Sequence, residues 1–154
     1  MPTLRRRAAL ALLLAVPAAA LLRPRRAEAD GRVFAENGIA VRGTDVVAYF
    51  RDGRPVAGSP AFTHAWQGVT WRFATAANRD AFAADPARFA PAYGGFCAWA
   101  VAQGYTAPID PRAWRIVDGR LYLNYDASVQ RNWERDIPGN IRKADANWPG
   151  ITPK

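Results

Sequence analysis

The sequence predicts a small single α+β domain in which short antiparallel hairpins pack against several short helices. Three observations predict it. The two-residue turn signals Asn37-Gly38, Gln67-Gly68 and Asp118-Gly119 each join short runs rich in β-branched and aromatic residues. Short segments with polar starts and helical spacing of apolar residues lie between and after those runs. Behind an N-terminal leader, about 125 residues remain, enough for one hydrophobic core and too few for two domains.

Taken in order, residues 32–41 form a short hairpin, with Asn37-Gly38 turning between Val33-Phe34 and the run from Ile39 to Val41. Gly43-Thr44-Asp45 starts a helix or turn that leads into the apolar run 46–50. On residues 62–66, Phe62, His64 and Trp66 share one strand face, and Val69, Trp71 and Phe73 share a face of the returning strand. Thr75 caps a helix from Ala76 to about Asp85, with Ala77, Ala81 and Phe82 facing inward and Pro86 stopping the next turn. Tyr93-Gly94-Gly95-Phe96-Cys97 then precedes a helical run ending at Gly104, which puts Cys97 at or near a helix N-terminus. Residues 114–117 and 121–125 form a further hairpin. The tail reads as two short helices separated at Pro138-Gly139, with Val129, Trp133, Ile137, Ile141, Ala144 and Trp148 as the buried stripe.

Residues 1–29 have the character of a cleavable export signal. Arg5, Arg6 and Arg7 precede an apolar run from Ala8 to Leu22, and Ala27-Glu28-Ala29 offers small residues for cleavage before Asp30. The run is too short and alanine-rich for a transmembrane span. Consecutive arginines before it and Arg23, Arg25 and Arg26 after it favour a twin-arginine (Tat-like) route over the general Sec route. The expected location is periplasmic or secreted, of bacterial type, with no stable membrane span once the leader is removed.

The leader carries six arginines and one glutamate, so its removal lowers the formal net charge from +8 to +3. That balance, with no basic run longer than Arg142-Lys143, leaves no footprint for nucleic acid. One cysteine excludes an intrachain disulfide. It points instead to a free reactive group, a ligand, an intermolecular bridge or a buried side chain.

The mature part holds one Cys, one His and no Met, which argues against tetrahedral structural zinc. Thiolate and imidazole suit a soft ion, so Cys97 and His64 are the candidate metal ligands, with copper favoured. A helix N-terminus would lower the Cys97 pKa, making it the candidate reactive thiol. A Cys-His-acid arrangement would require Asp45 or Asp110 behind His64, and nothing in the spacing imposes it. No complete catalytic constellation is present, so the sequence leans away from an enzyme. The alternatives are a single-thiol redox protein reacting through Cys97 and a non-catalytic binding or scaffold module. A redox or metal-transfer protein is the partner these readings call for. Trp66, Trp71, Tyr93, Phe96 and Trp99 are expected as core rather than as a ligand cage.

Beyond these local readings, the run from Gly43 to Phe50, the segment from Phe62 to Thr75, Phe89-Ala90-Pro91, Tyr93-Gly94-Gly95-Phe96-Cys97-Ala98 and the 118–125 hairpin together resemble the exported branch of the YHS-domain family. The likeness covers nearly all of residues 30–154, the expected YHS-type domain. Of the name-giving tripeptide, Thr63-His64-Ala65 keeps only the histidine. YHS modules of heavy-metal transport proteins carry a cysteine directly after the hairpin's second strand, where Ala74 stands here. The exported branch is also similar to candidate selenoproteins, which implies a reactive chalcogen at the Cys97 position.

Overall fold

The computed structural model describes residues 31–154, and the leader expected over residues 1–29 lies outside the described residues. Among the described residues six strands and six helices follow one another in a small α+β arrangement, with a mixed four-stranded sheet and a separate antiparallel hairpin. Among the described residues no helix is long and apolar enough to cross a membrane.

The sheet grows from two hairpins. β1 (Ala35–Glu36) and β2 (Ile39–Ala40) turn at Asn37-Gly38, and β3 (Ser59–Trp66) and β4 (Val69–Phe73) turn at Gln67-Gly68. Both central residues of each turn have positive φ, as they do at Asp118-Gly119. That geometry matches the right-handed twist of the flanking strands. β2 then lies parallel to β4 through one bridge, Ile39 opposite Thr70, giving the order β1-β2-β4-β3. This parallel join, supported by a hydrogen bond from Thr70 N to Gly38 O (2.8 Å), has no sequence signature. In β3, His64 lies opposite Trp71 and Trp66 opposite Val69. Strand alternation buries Val69, Trp71 and Phe73 and leaves Phe62, His64 and Trp66 half-buried.

Between the two hairpins, α1 (Val46–Arg51) starts at Asp45, as the sequence predicts. After them, α2 (Ala76–Ala84) is capped by Thr75, whose hydroxyl accepts from Asn78 N at 3.1 Å. The inward face of α2 differs from expectation in one position: Asn78 is buried and Ala77 is exposed. Asn78 turns inward because its amide donates to the buried Asp45 carboxylate. Pro86 does not merely stop a helix; it opens α3 (Pro86–Phe89), where its missing N–H has no partner to lose.

α4 (Ala98–Ala102) follows a turn at Ala92–Gly95, and Cys97 is its N-cap residue. β5 (Asp110–Val117) and β6 (Arg120–Asn124) make the second sheet, packed against α4 and α5 (Ala127–Glu134), while α6 (Ile137–Asn147) packs on α4 and α5. The break between the last two helices falls at Arg135-Asp136 rather than at Pro138-Gly139. Asp136 caps α6 by accepting from Gly139 N at 3.0 Å, so Pro138 sits in the first turn, where a proline is tolerated. The expected stripe is present, with Trp133 and Ala144 fully buried and Val129, Ile137, Ile141 and Trp148 packed beside them. One core joins both sheets, and the Tyr49 hydroxyl fastens α1 to β5 by donating to Pro111 O at 2.6 Å.

Candidate functional site

Cys97 stands where the sequence places it, at the start of α4, but its sulfur is almost entirely shut off from solvent. Sγ donates to Asn124 Oδ1 at 3.6 Å, and the same oxygen accepts from Trp99 N at 3.1 Å. Burial pushes the thiol above its usual value of 9.0, outweighing the backbone amides of Ala100, Tyr125 and Trp99, which favour the thiolate. α4 has only five residues, too few for a strong dipole to reverse that balance.

His64 lies in a different neighbourhood. It belongs to β3, an outer strand of the sheet, with its ring edge-on to Phe82 at 6.0 Å. β3 packs on β4 and α2, whereas α4 packs on α5, α6 and β6. No hydrogen bond or ring contact joins His64 to Cys97, and no cluster of three or more His, Cys, Asp and Glu able to hold a metal occurs among the described residues.

The two carboxylates considered as orienting acids are committed elsewhere. Asp45 is fully buried: Oδ1 accepts from Val47 N (2.9 Å) and Ala48 N (3.2 Å), and Oδ2 from Ala74 N (2.8 Å) and Asn78 Nδ2 (2.8 Å). Asp110 accepts from the Arg112 guanidinium and backbone, which hold its carboxyl below the usual range.

The glycine pair before Cys97 also has a specific structural task. Tyr93, Gly94 and Gly95 all have positive φ, at 57°, 62° and 86°. A Cβ on Gly94 would collide with the Arg32 carbonyl oxygen, and one on Gly95 would meet Val41. The turn thereby lets the segment leading into β1 lie directly on it, with Phe34 N donating to Gly94 O at 2.9 Å. Tyr93, a bulky residue in the left-handed region, is held there at a cost of about 1–2 kcal/mol.

That close approach builds a groove of about 470 Å³, whose floor and walls include Trp66, Trp71, Tyr93 and Trp148, with Arg32 and Arg120 at its edge. Trp71 and Tyr93 are buried and form the floor, whereas Trp66 and Trp148 are half-buried and offer ring surface. Trp71 Nε1 donates to Trp66 O at 3.2 Å, which fixes the floor against the wall. The Arg32 guanidinium stacks 4.3 Å from the Trp148 ring centroid and donates to Trp148 O (3.0 Å) and Ile151 O (3.1 Å). Arg120 lies over Tyr93 at 5.5 Å and over Tyr122 at 5.9 Å. Its nearest acid is Asp145, at 3.7 Å, and Tyr93 donates its hydroxyl to the same Asp145 oxygen at 2.9 Å. Burial, and then the Asp145 hydrogen bond, raise the Tyr93 pKa well above its usual 10.0, so this hydroxyl stays a donor. A shallower hollow of about 530 Å³ beside Arg42 and Arg72 is partly neutralised by Glu36, 3.3 Å from Arg42.

Sequence reasoning treated Trp66, Trp71 and Tyr93 as core and Trp148 as part of a helical stripe. It gave Arg32 and Arg120 no role. These residues come from five separate segments, and only Tyr93 carried a local signal, the two glycines after it. The chain matches no family model, no curated protein and no solved structure.

Proposed function

We propose that this chain is an exported, non-catalytic binding module of the YHS-like kind its motifs resemble, and that it takes a small ligand with a flat face in the aromatic groove. One observation carries the reading: Trp66, Trp71, Tyr93 and Trp148 converge on a single groove with two guanidinium groups at its edge. Its volume falls within the range of small-molecule sites, about 300–1,000 Å³. Aromatic walls favour stacking of a planar body, and among the described residues no Cys, Ser, Thr, His, Asp or Glu lines the space. The thiol readings have less support, because Cys97 is buried, held protonated by that burial and, among the described residues, not part of a metal-ligand cluster.

The test follows the six tryptophan indole N–H resonances by NMR while neutral naphthylmethanol is added. The indoles of Trp66, Trp71 and Trp148 should shift together, while those of Trp114 and Trp133 stay in place. Trp148→Ala should weaken the binding about fivefold, the size of one lost stacking contact. Shifts spread evenly over all six indoles, or none at millimolar probe, would remove the groove as a site.

A further inference from the structure

We infer that the groove selects a planar body bearing a single carboxylate, that Arg120 reads the carboxylate, and that Asp145 partly occupies Arg120 until the ligand arrives. This inference rests on the groove being the binding site and adds the chemical class of what binds there.

The two guanidinium groups differ in what they can offer. Arg32 is committed to the fold: it donates to the carbonyls of Trp148 and Ile151 and covers the Trp148 ring, so it shapes the wall and contributes charge. Arg120 is committed less, to the Tyr122 hydroxyl and to Asp145. It occupies the first position of β6, its side chain is 49% exposed, and it lines the groove. Its contact with Asp145, at 3.7 Å, is well beyond the roughly 2.7–2.9 Å of a charge-assisted hydrogen bond.

The Asp145 oxygen that Arg120 approaches is already held by another donor. Tyr93 holds the same Asp145 oxygen at 2.9 Å, drawing it toward the tyrosine hydroxyl. Arg120 is therefore positioned by the faces of Tyr93 and Tyr122 while its planar fork of donors lacks a close acceptor in Asp145. A ligand carboxylate accepts two parallel N–H donors from such a fork, which an alcohol or amine does not. Two guanidinium groups at the edge disfavour a cationic ligand. With Asp145 beside them, the two guanidinium groups leave one net positive charge at the groove, which a single carboxylate neutralises. A monoanion is what remains.

Four naphthyl probes separate these claims: naphthoate, naphthylmethanol, naphthylmethylammonium and naphthyl phosphate, each titrated by indole N–H shifts at low salt. Naphthoate should bind about tenfold tighter than the alcohol, the ammonium should bind weakest, and added sodium chloride should narrow the gap. Arg120→Gln should weaken naphthoate much more than the alcohol, so that the difference between them disappears. Arg120→Lys, which keeps the charge and loses the fork, should recover only part of the preference. Asp145→Asn keeps an oxygen for Tyr93 but removes the competing charge, and should tighten naphthoate about threefold. An amide spectrum as dispersed as the parent's shows that each variant is folded.

Equal affinity for naphthoate and the alcohol in the parent protein, or equal losses of both in Arg120→Gln, would overturn the carboxylate assignment and leave the groove standing. Tighter binding of naphthyl phosphate than of naphthoate would replace the monoanion by a phosphate ligand. Absence of localised indole shifts with every probe would remove the groove and this inference together.

Discussion

Cys97 is approached by three backbone amides, yet burial keeps its proton on. A thiol must ionise to act as a nucleophile or a soft-metal ligand, and the enclosing core makes the charged form unfavourable. The native protein should therefore react with a disulfide reagent at neutral pH at least about a hundredfold more slowly than a free thiol, and become reactive when urea unfolds it. Cys97→Ala should cost about 1 kcal/mol through lost packing and leave binding in the aromatic groove unchanged. Rapid native-state labelling would return the thiol to the centre of the function. Asn124 adds a second consideration at this scale: with Oδ1 turned toward Trp99 N and the Cys97 sulfur, its buried Nδ2 is left without a partner. A buried amide with an unpaired donor costs about 1–3 kcal/mol, so the neighbourhood of Cys97 is held by packing rather than by full polar satisfaction.

At the scale of elements, Asp45 ties three segments at one point. Its first oxygen caps α1, and its second holds Ala74 at the end of β4 and Asn78 on α2. Arg51 closes the arrangement from α1, donating to Asn78 Oδ1 at 2.9 Å. Asp45→Asn would present an NH2 group to donors already waiting for an acceptor, and should lower unfolding stability by about 3 kcal/mol. Urea midpoints of the variant and the parent measure this. A loss below about 1 kcal/mol would mean that these donors find other partners. The same residue shows where sequence reading stops. Asp45 before an apolar run is legible as a helix start because the cap is local, as are Thr75 and the three tight turns. The second oxygen's partners lie 29 and 33 residues away, and nothing local marks them. Ala77 was expected inward on helical spacing, but the Asn78 hydrogen bond to Asp45 decided the rotation of that face. The one-bridge parallel join of β2 to β4 and the five-segment groove were hidden for the same reason. Each is a meeting of distant residues whose local patterns describe only core strands and turns.

Across the whole molecule, the buried protonated acids set the direction of the pH response. Burial raises the pKa of Cys97 above 9.0 and those of Tyr49, Tyr93 and Tyr122 above 10.0. The folded state then keeps protons that the unfolded chain releases. Their contribution to stability is fully present below the unfolded values and is lost as pH rises through the folded ones. The urea midpoint should accordingly fall as pH rises past 9.0, where the unfolded thiol ionises, and more steeply past 10.0, where three tyrosines join it. Tyr49 and Tyr93 matter most because their hydroxyls fasten separate parts: Tyr49 joins α1 to Pro111 on β5, and Tyr93 joins the 92–95 turn to Asp145 on α6. Tyr49→Phe should cost about 1 kcal/mol at neutral pH through the lost hydrogen bond, and should flatten the decline above 10.0 because one of the retained protons is gone. A urea midpoint that stays level through this alkaline range would show that the phenols ionise as easily in the folded protein as in the unfolded chain. The shared core would then admit water at the very hydroxyls that join its parts.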